Sequence, residues 1–319
     1  MKTLKRKVVI VGAGAVGSSF AYALAREGAA EEIVLSDINR QLAEGEVLDL
    51  AHGLPFLPPV TFKTGSSEDY ADAQVIVITA GAKQKPGQSR LDLMQENAKI
   101  IERIMADITS RNSPAIVIVV ANPVDILARV ALQASGWPRE RIMGSGTVLD
   151  TARFRYMLSD HCGVDPRNVH GYILGEHGDS EIAPWSLTHI AGMPMDEYCA
   201  ICRKCEDWHK TRRDLVERVR QSAYHIIDYK GATNYAIGLA LVRIAGAILR
   251  NEHSVLTVSV LLDGEYGLHN VCLGVPCIIS AQGVERVIHG KITDDEQKGL
   301  EHSAKVLSDA WKQLRGKSE

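Results

Sequence analysis

A doubly wound α/β architecture, a parallel sheet followed by an α+β unit, is predicted by three features of the sequence. Short, apolar, β-rich runs alternate with amphipathic segments through residues 1–145. A glycine-rich turn separates the first such run from the first amphipathic segment. Beyond residue 145 the pattern changes to longer amphipathic segments with one strand pair.

The run Val8-Val9-Ile10-Val11 reads as the first strand, and residues 16–27 carry apolar side chains at helical spacing. Ile33-Val34-Leu35, Val75-Ile76-Val77-Ile78 and Ile116-Val117-Ile118-Val119-Val120 read as further strands. Each is short and continuously apolar, as strands covered on both faces by helices must be. Helical patterns at 91–111 and 124–134 alternate with them, which predicts right-handed crossovers and a Rossmann-type sheet. A boundary near Gly144-Ser145-Gly146 divides this unit, 1–145, from an α+β substrate unit, 146–319. The second unit is read as helices at 148–159, 208–228, 235–250 and 294–314, with strands flanking the turn Asp263-Gly264-Glu265-Tyr266-Gly267. Without an internal repeat, a low-complexity tract or a long linker, the two halves are expected to pack closely.

The 319 residues suit about two domains of roughly 150 residues each. A composition of 45% hydrophobic and 24% charged residues belongs to globular proteins rather than disordered or fibrous ones. The formal charge of −3 offers no basic excess to neutralise a phosphate backbone, which excludes nucleic acid as the expected partner. The basic start before Val8 imitates a secretory leader, but Gly12, Gly14 and Gly17 interrupt its apolar core after four residues. No other apolar run approaches the roughly 18 residues that span a bilayer, so a soluble, cytoplasmic protein is expected.

Three of the six cysteines, Cys199, Cys202 and Cys205, recur at intervals of three, with His209 four residues on. The spacing suggests a metal, but a helix would separate Cys199 from Cys205 by about 9 Å along its axis. Tetrahedral zinc needs its sulfurs within roughly 4 Å of one another. Reduced thiols and no metal are therefore expected.

Gly12-x-Gly14-x-x-Gly17 follows the first strand and opens the first helix. In that context the first glycine permits a tight turn, the second lets a pyrophosphate approach the backbone, and the third lets helix and strand pack closely. The amides of Ala15, Val16 and Gly17, at the helix N-terminus, would meet the phosphate charge. Asp37 lies at the end of the second strand, 20 residues after Gly17, placed to accept from both ribose hydroxyls. Its charge repels a 2′-phosphate, so NAD is favoured over NADP, although Arg40 lies close by.

Four further segments carry chemistry. They are residues 81–91, with Gln84 and Arg90; Val120-Ala121-Asn122-Pro123-Val124-Asp125; residues 146–155, with Asp150, Arg153 and Arg155; and Gly175-Glu176-His177-Gly178-Asp179-Ser180. In this order, and together with Lys230-Gly231-Ala232-Thr233, they resemble the L-lactate and malate dehydrogenase family from about Lys7 to the last helix. The resemblance implies NADH-dependent reduction of a 2-keto acid, with His177 as proton donor and Asp150 as its partner. It implies that Arg153 grips the substrate carboxylate, that Arg90 closes on a loop to polarise the carbonyl, and that Thr233 lines the pocket. Asn122 would bond the substrate oxygen and stand among the cofactor contacts, before a cis Asn122-Pro123 bond. The chemistry is consistent: an imidazole cycles near neutral pH, a buried carboxylate fixes its tautomer, and a planar guanidinium suits a carboxylate better than an ammonium does. Asp150 and Arg153, three apart, share one face of a helix.

Relatives that take oxaloacetate carry arginine where this sequence has Gln84, so the neutral side chain points to pyruvate, giving L-lactate. Lys85 beside it keeps malate dehydrogenase open as an alternative, and unknown pocket volume keeps a 2-hydroxyisocaproate type open. An NAD-sensing binding protein is the non-enzymatic alternative, one that would have lost His177, Asp150 or Arg153. The resemblance further implies a homotetramer, in which Arg155 and His170 match positions that bind fructose 1,6-bisphosphate across an interface in allosteric members.

Overall fold

The computed structural model describes residues 5–83, 87–204 and 207–316. In the first half β1 (Lys7–Val11), α1 (Ala15–Glu27), β2 (Glu32–Ser36), α2 (Arg40–His52), β3 (Thr61–Thr64), β4 (Val75–Ile78), α3 (Arg90–Ser110), β5 (Ile116–Val119), α4 (Val124–Ser135) and β6 (Ile142–Gly144) alternate as strand and helix. The strands lie in the order β3-β2-β1-β4-β5-β6 and all pair in parallel. Every residue of β1, β4 and β5 is buried, which is why these strands read as unbroken apolar runs.

The second half holds α5 (Val148–Cys162), β7 (Val169–His170), β8 (His189–Ile190), β9 (Met193–Pro194), α6 (Met195–Cys202), α7 (Trp208–Lys230), α8 (Tyr235–Leu249), β10 (Ser254–Asp263), β11 (His269–Ser280), β12 (Gly283–Val287) and α9 (Asp294–Arg315). β7, β8 and β9 form a small separate sheet. The strand pair expected around residues 263–267 is β10 and β11, antiparallel. It does not stand apart: β10 pairs with β6 at Ser259 and Gly144, and the result is one nine-stranded sheet running β12-β11-β10-β6-β5-β4-β1-β2-β3. One apolar core follows that sheet through both halves, and a smaller one lies around Phe154, Leu158 and Leu215 beneath α7.

α2, β3, β6, β12 and the small sheet are additions to the sequence reading. α2 buries only Ala43 and starts at an Asn39 cap whose side chain accepts from the Leu42 N–H at 3.2 Å, so its pattern carries little amphipathic signal. β3 is an edge strand with no buried residue, and β6 has only three residues.

Two glycines of the first turn have geometric reasons to be there. Gly12 has φ +111°, and a Cβ on it would lie 2.6 Å from Thr79 Oγ1 and 2.7 Å from Ala80 N. A Cβ on Gly17 would lie 1.9 Å from the Gly12 carbonyl oxygen, so α1 reaches the β1 turn only because that methyl is missing. Gly17→Ala is expected to cost about 2 kcal/mol through forced separation of helix and turn. Thermal unfolding should show a Tm several degrees lower, and NADH titration a weaker affinity; wild-type values for both would contradict the close approach.

Candidate active site

The glycine turn, Asp37, Thr79 and Asn122 all follow the carboxyl ends of parallel strands, β1, β2, β4 and β5. The strand order reverses between β1 and β4, and the crevice at such a reversal is where open α/β sheets bind their ligands. At the head of α1 no side chain caps the first amides, so the helix presents uncommitted donors to an anion. A Cβ on Gly14 would project into open space, room that a pyrophosphate can use. The Asp37 carboxylate is fixed by the Ala13 N–H at 2.7 Å and the Asn39 N–H at 2.8 Å. Each of its oxygens keeps a lone pair for a ribose hydroxyl. The residues present therefore fit a dinucleotide.

The cofactor half is tied to the chemistry by Asn97 of α3, which is buried. Its Nδ2 donates to the Asn122 carbonyl at 2.9 Å, and its Oδ1 accepts from Ala82 N–H at 2.7 Å. One side chain thus spans the segments after β4 and β5. The Asn122-Pro123 bond is cis, and α4 starts directly after it.

Asp150 and Arg153 stand on the first turn and a half of α5, where Arg153 Nη1 donates to Asp150 Oδ1 at 2.8 Å. His177 lies on the irregular segment that follows the β-bridge from Gly175 to Gly274 of β11. Its Nδ1 meets Asp150 Oδ2 at 2.6 Å. One carboxylate therefore joins the imidazole and the guanidinium. His177 is 25% exposed at its side chain and Asp150 only 4%, which leaves a reactive edge facing out from a dry base.

Burial alone would raise the Asp150 pKa, but the adjacent His177 and Arg153 outweigh it and hold the carboxyl below its ordinary value of 3.8. In return the Asp150 charge, working against burial, raises His177 above the ordinary 6.5, to about 9. With Nδ1–H committed to Asp150, Nε2 is the nitrogen free to give and take a proton.

Two acids that sequence reasoning left without a role complete the surroundings. Asp125, in the first turn of α4, is 2% exposed and accepts from the His177 main-chain N–H at 2.9 Å. Burial pushes its carboxyl up to about 6, against the opposing pull of Ser259 and the His177 N–H. Glu181 is equally buried; burial, then the Asp150 charge, raises it well above the carboxylate range. A lone acid inside the apolar stretch Val124-Asp125-Ile126-Leu127 was the available signal for Asp125.

The other expected residues are placed as follows. Arg90, expected on a loop, is instead exposed at the first position of α3, because the capping box of Ser89 with Asp92 draws it into the helix. It lines a cavity of about 520 Å³ with Glu176, Asp179, Ser180 and Arg220 among others. Thr233 lies in the segment between α7 and α8, where Asn234 Nδ2 donates to Ser19 Oγ of α1 at 2.8 Å. Gln84 lies outside the described residues. Arg155 donates through Nε to the Gly171 carbonyl at 2.9 Å, and His170 is exposed on β7. Cys199 and Cys202 lie on α6 as a helical pair, and Cys205 is outside the described residues. Among the described residues, no group of three or more His, Cys, Asp or Glu side chains is arranged to hold a metal, and no helix is long and apolar enough to cross a membrane.

A dinucleotide crevice beside a carboxylate-held imidazole and a half-buried arginine defines an NAD-dependent dehydrogenase acting on a small anionic substrate. The chain belongs to the lactate/malate dehydrogenase family: residues 6–144 match its NAD-binding domain and residues 147–317 its alpha/beta C-terminal domain. It is 58% identical over 316 residues to an L-lactate dehydrogenase of Treponema denticola, covering 98% of this chain and all of the relative. It is 50% identical to one of Acetivibrio thermocellus, covering 97% of each. Among solved structures, the minor L-lactate dehydrogenase of Enterococcus mundtii in a ligand-bound form superposes with a TM-score of 0.95 at 45% identity, covering 98% of this chain and 100% of that one.

Proposed function

We propose that this enzyme interconverts pyruvate and L-lactate, with His177 as the proton donor and acceptor. The observation that carries the reading is the chain of contacts His177–Asp150–Arg153, at 2.6 and 2.8 Å, beside the dinucleotide crevice. Bound NADH supplies the hydride. Arg153, with Nη1 engaged by Asp150, keeps the rest of its guanidinium for the substrate carboxylate. His177, protonated at Nε2, hydrogen-bonds the keto oxygen and delivers its proton as charge develops there, while Asp150 stabilises the imidazolium until transfer. Arg90 and Asn122 are assigned to the same oxygen, Thr233 to the pocket wall and Gln84 to the methyl end. Gly12, Gly14, Ala15, Val16, Gly17 and Asp37 are assigned to the cofactor. We place the cofactor unit at residues 1–145 and the substrate unit at 146–319.

Oxidation of NADH, followed by absorbance with pyruvate, oxaloacetate and branched 2-keto acids in turn, tests this. The highest kcat/KM is expected for pyruvate. Higher values for oxaloacetate or a branched acid would move the assignment to a malate or hydroxyisocaproate enzyme, and no turnover of any would favour an NAD-sensing protein.

We further propose that the protein is a cytoplasmic homotetramer. Tyr22, Phe56, Tyr235 and Leu239 are exposed around a groove of about 790 Å³ between α1, α2 and α8, a face suited to a second subunit. Sedimentation as a monomer at assay concentration would refute the tetramer. Activation by fructose 1,6-bisphosphate is assigned to Arg155 and His170 facing their symmetry mates; a pyruvate saturation curve unchanged by the bisphosphate would remove that assignment.

A further inference from the structure

His177 is oriented by more than its ring contact. Its segment between residues 175 and 181 has no helix or strand of its own, and residues 175 to 177 are each fastened through the main chain. Gly175 exchanges two backbone hydrogen bonds with Gly274, at 2.9 and 2.8 Å. The Glu176 N–H donates to Ser303 Oγ of α9 at 2.6 Å. The His177 N–H donates to Asp125 Oδ2 at 2.9 Å. Only the last acts on the residue that carries the imidazole, and it comes from a buried acid whose other oxygen, Oδ1, has no hydrogen-bond partner. The neighbouring Ser259 Oγ on β10 is likewise buried and pulls the Asp125 pKa down, but the two do not close a hydrogen bond. Burying an ionisable group with half its acceptor capacity unused is costly, so a carboxylate here requires a return that a neutral side chain would not give.

We propose that Asp125 is a positioning residue for proton transfer: from the first turn of α4 its carboxylate holds the main-chain N–H of His177 while Asp150 holds the ring. The inference rests on the reading of His177 as the proton donor. α4 begins immediately after Asn122-Pro123, so the element assigned to bond the substrate oxygen also sets the height of the imidazole that protonates it. Asn122 and His177, 55 residues apart in sequence, are thereby fixed to one rigid helix start.

The charge environment makes the role testable. His177 faces Asp150, paired with Arg153, from α5, and Asp125 from α4; Glu181 of its own segment also acts on it. Glu176 acts on Asp125, Arg220 of α7 donates to the Glu181 carbonyl, and the Cys272 thiol of β11 lies near Asp125. With its carboxyl pushed up to about 6, Asp125 is ionised over the range in which His177 titrates, and its negative charge favours the imidazolium.

Asp125→Asn keeps an acceptor for the His177 N–H and offers its new NH2 to Ser259, so it should fold; Asp125→Ala removes the acceptor. Three readouts separate positioning from general support: NADH affinity, the pH profile of pyruvate reduction, and amide exchange with ring titration of His177 by NMR. For Asp125→Ala, kcat/KM for pyruvate is expected to fall by about 10²-fold through misplacement of the imidazole, with NADH affinity unchanged and amide protection at His177 lost. For Asp125→Asn, amide protection persists, and both the alkaline limb and the ring titration move about half a pH unit lower, because a negative charge has been removed. Wild-type amide exchange at His177 in Asp125→Ala, or an unmoved ring titration in Asp125→Asn, would overturn the proposal, as would equal losses of NADH binding and turnover in Asp125→Ala. If Asp125→Ala fails to fold, the Asp125→Asn exchange and titration decide alone. A wild-type enzyme that does not turn over pyruvate would refute the assigned reaction, while the two NMR readouts would still report whether Asp125 holds His177.

Discussion

Replacing His177 with asparagine is expected to lower kcat for pyruvate reduction by about three orders of magnitude, roughly 4 kcal/mol of transition-state stabilisation. Asparagine can still donate a hydrogen bond to the keto oxygen, but it has no proton to transfer near neutral pH. Asp150 retains Arg153 as a partner at 2.8 Å, so the buried carboxylate is not stranded and the fold should survive. The cofactor crevice, built from α1, β1 and β2, is untouched, and NADH affinity should stay near wild type. Steady-state rates with parallel NADH titration make the check. A His177→Asn enzyme within tenfold of wild type would assign proton transfer to another group.

The second large effect is on selectivity. In the proposed reaction Arg90, Arg153 and protonated His177 face Asp150 and a single substrate carboxylate. A dianion such as oxaloacetate adds a negative charge with no assigned partner, and an unpaired charge in a closed site is excluded or neutralised. Gln84→Arg supplies that partner and penalises pyruvate, whose methyl cannot satisfy a desolvated guanidinium. A change of about 3 kcal/mol in relative transition-state binding corresponds to roughly two orders of magnitude in the ratio of kcat/KM values. Ratios measured for wild type and variant at saturating NADH give the answer. An unchanged ratio in a folded variant that binds NADH would remove Gln84 as the discriminator.

What was legible in the sequence follows from the range of the interactions. Apolar runs report burial on both faces, so β1, β4 and β5 were plain, whereas β3 at the sheet edge and the three-residue β6 left too little pattern. The Asp150–Arg153 pair follows from a spacing of three on a helix. The pairing of His177 with Asp150, 27 residues away, has no periodic signature and came from family resemblance alone. Asp125 lies within a motif whose sequence does not disclose its role, because a side chain that accepts from a main-chain N–H 52 residues on leaves no mark in sequence. Nor could local reasoning show that β10 would add to β6 and carry the sheet past residue 145, since antiparallel pairing between distant strands is fixed by tertiary packing. Arg90 moved from loop to helix through a capping box that lay in view at Ser89 and Asp92.

The central claim is that Asp150 holds His177 protonated at neutral pH so that it can give its proton to the substrate. Its most direct test is the pH dependence of kcat/KM in both directions, on the wild-type enzyme with saturating coenzyme. Because the Asp150 charge raises the imidazole toward about 9, the donor is loaded below that value and lost above it. Pyruvate reduction should therefore hold through neutrality and fall along an alkaline limb well above pH 6.5, while lactate oxidation, which needs the free imidazole, should rise through the same limb. A reduction rate that falls at or below pH 6.5, or two directions that share no limb, would contradict the account.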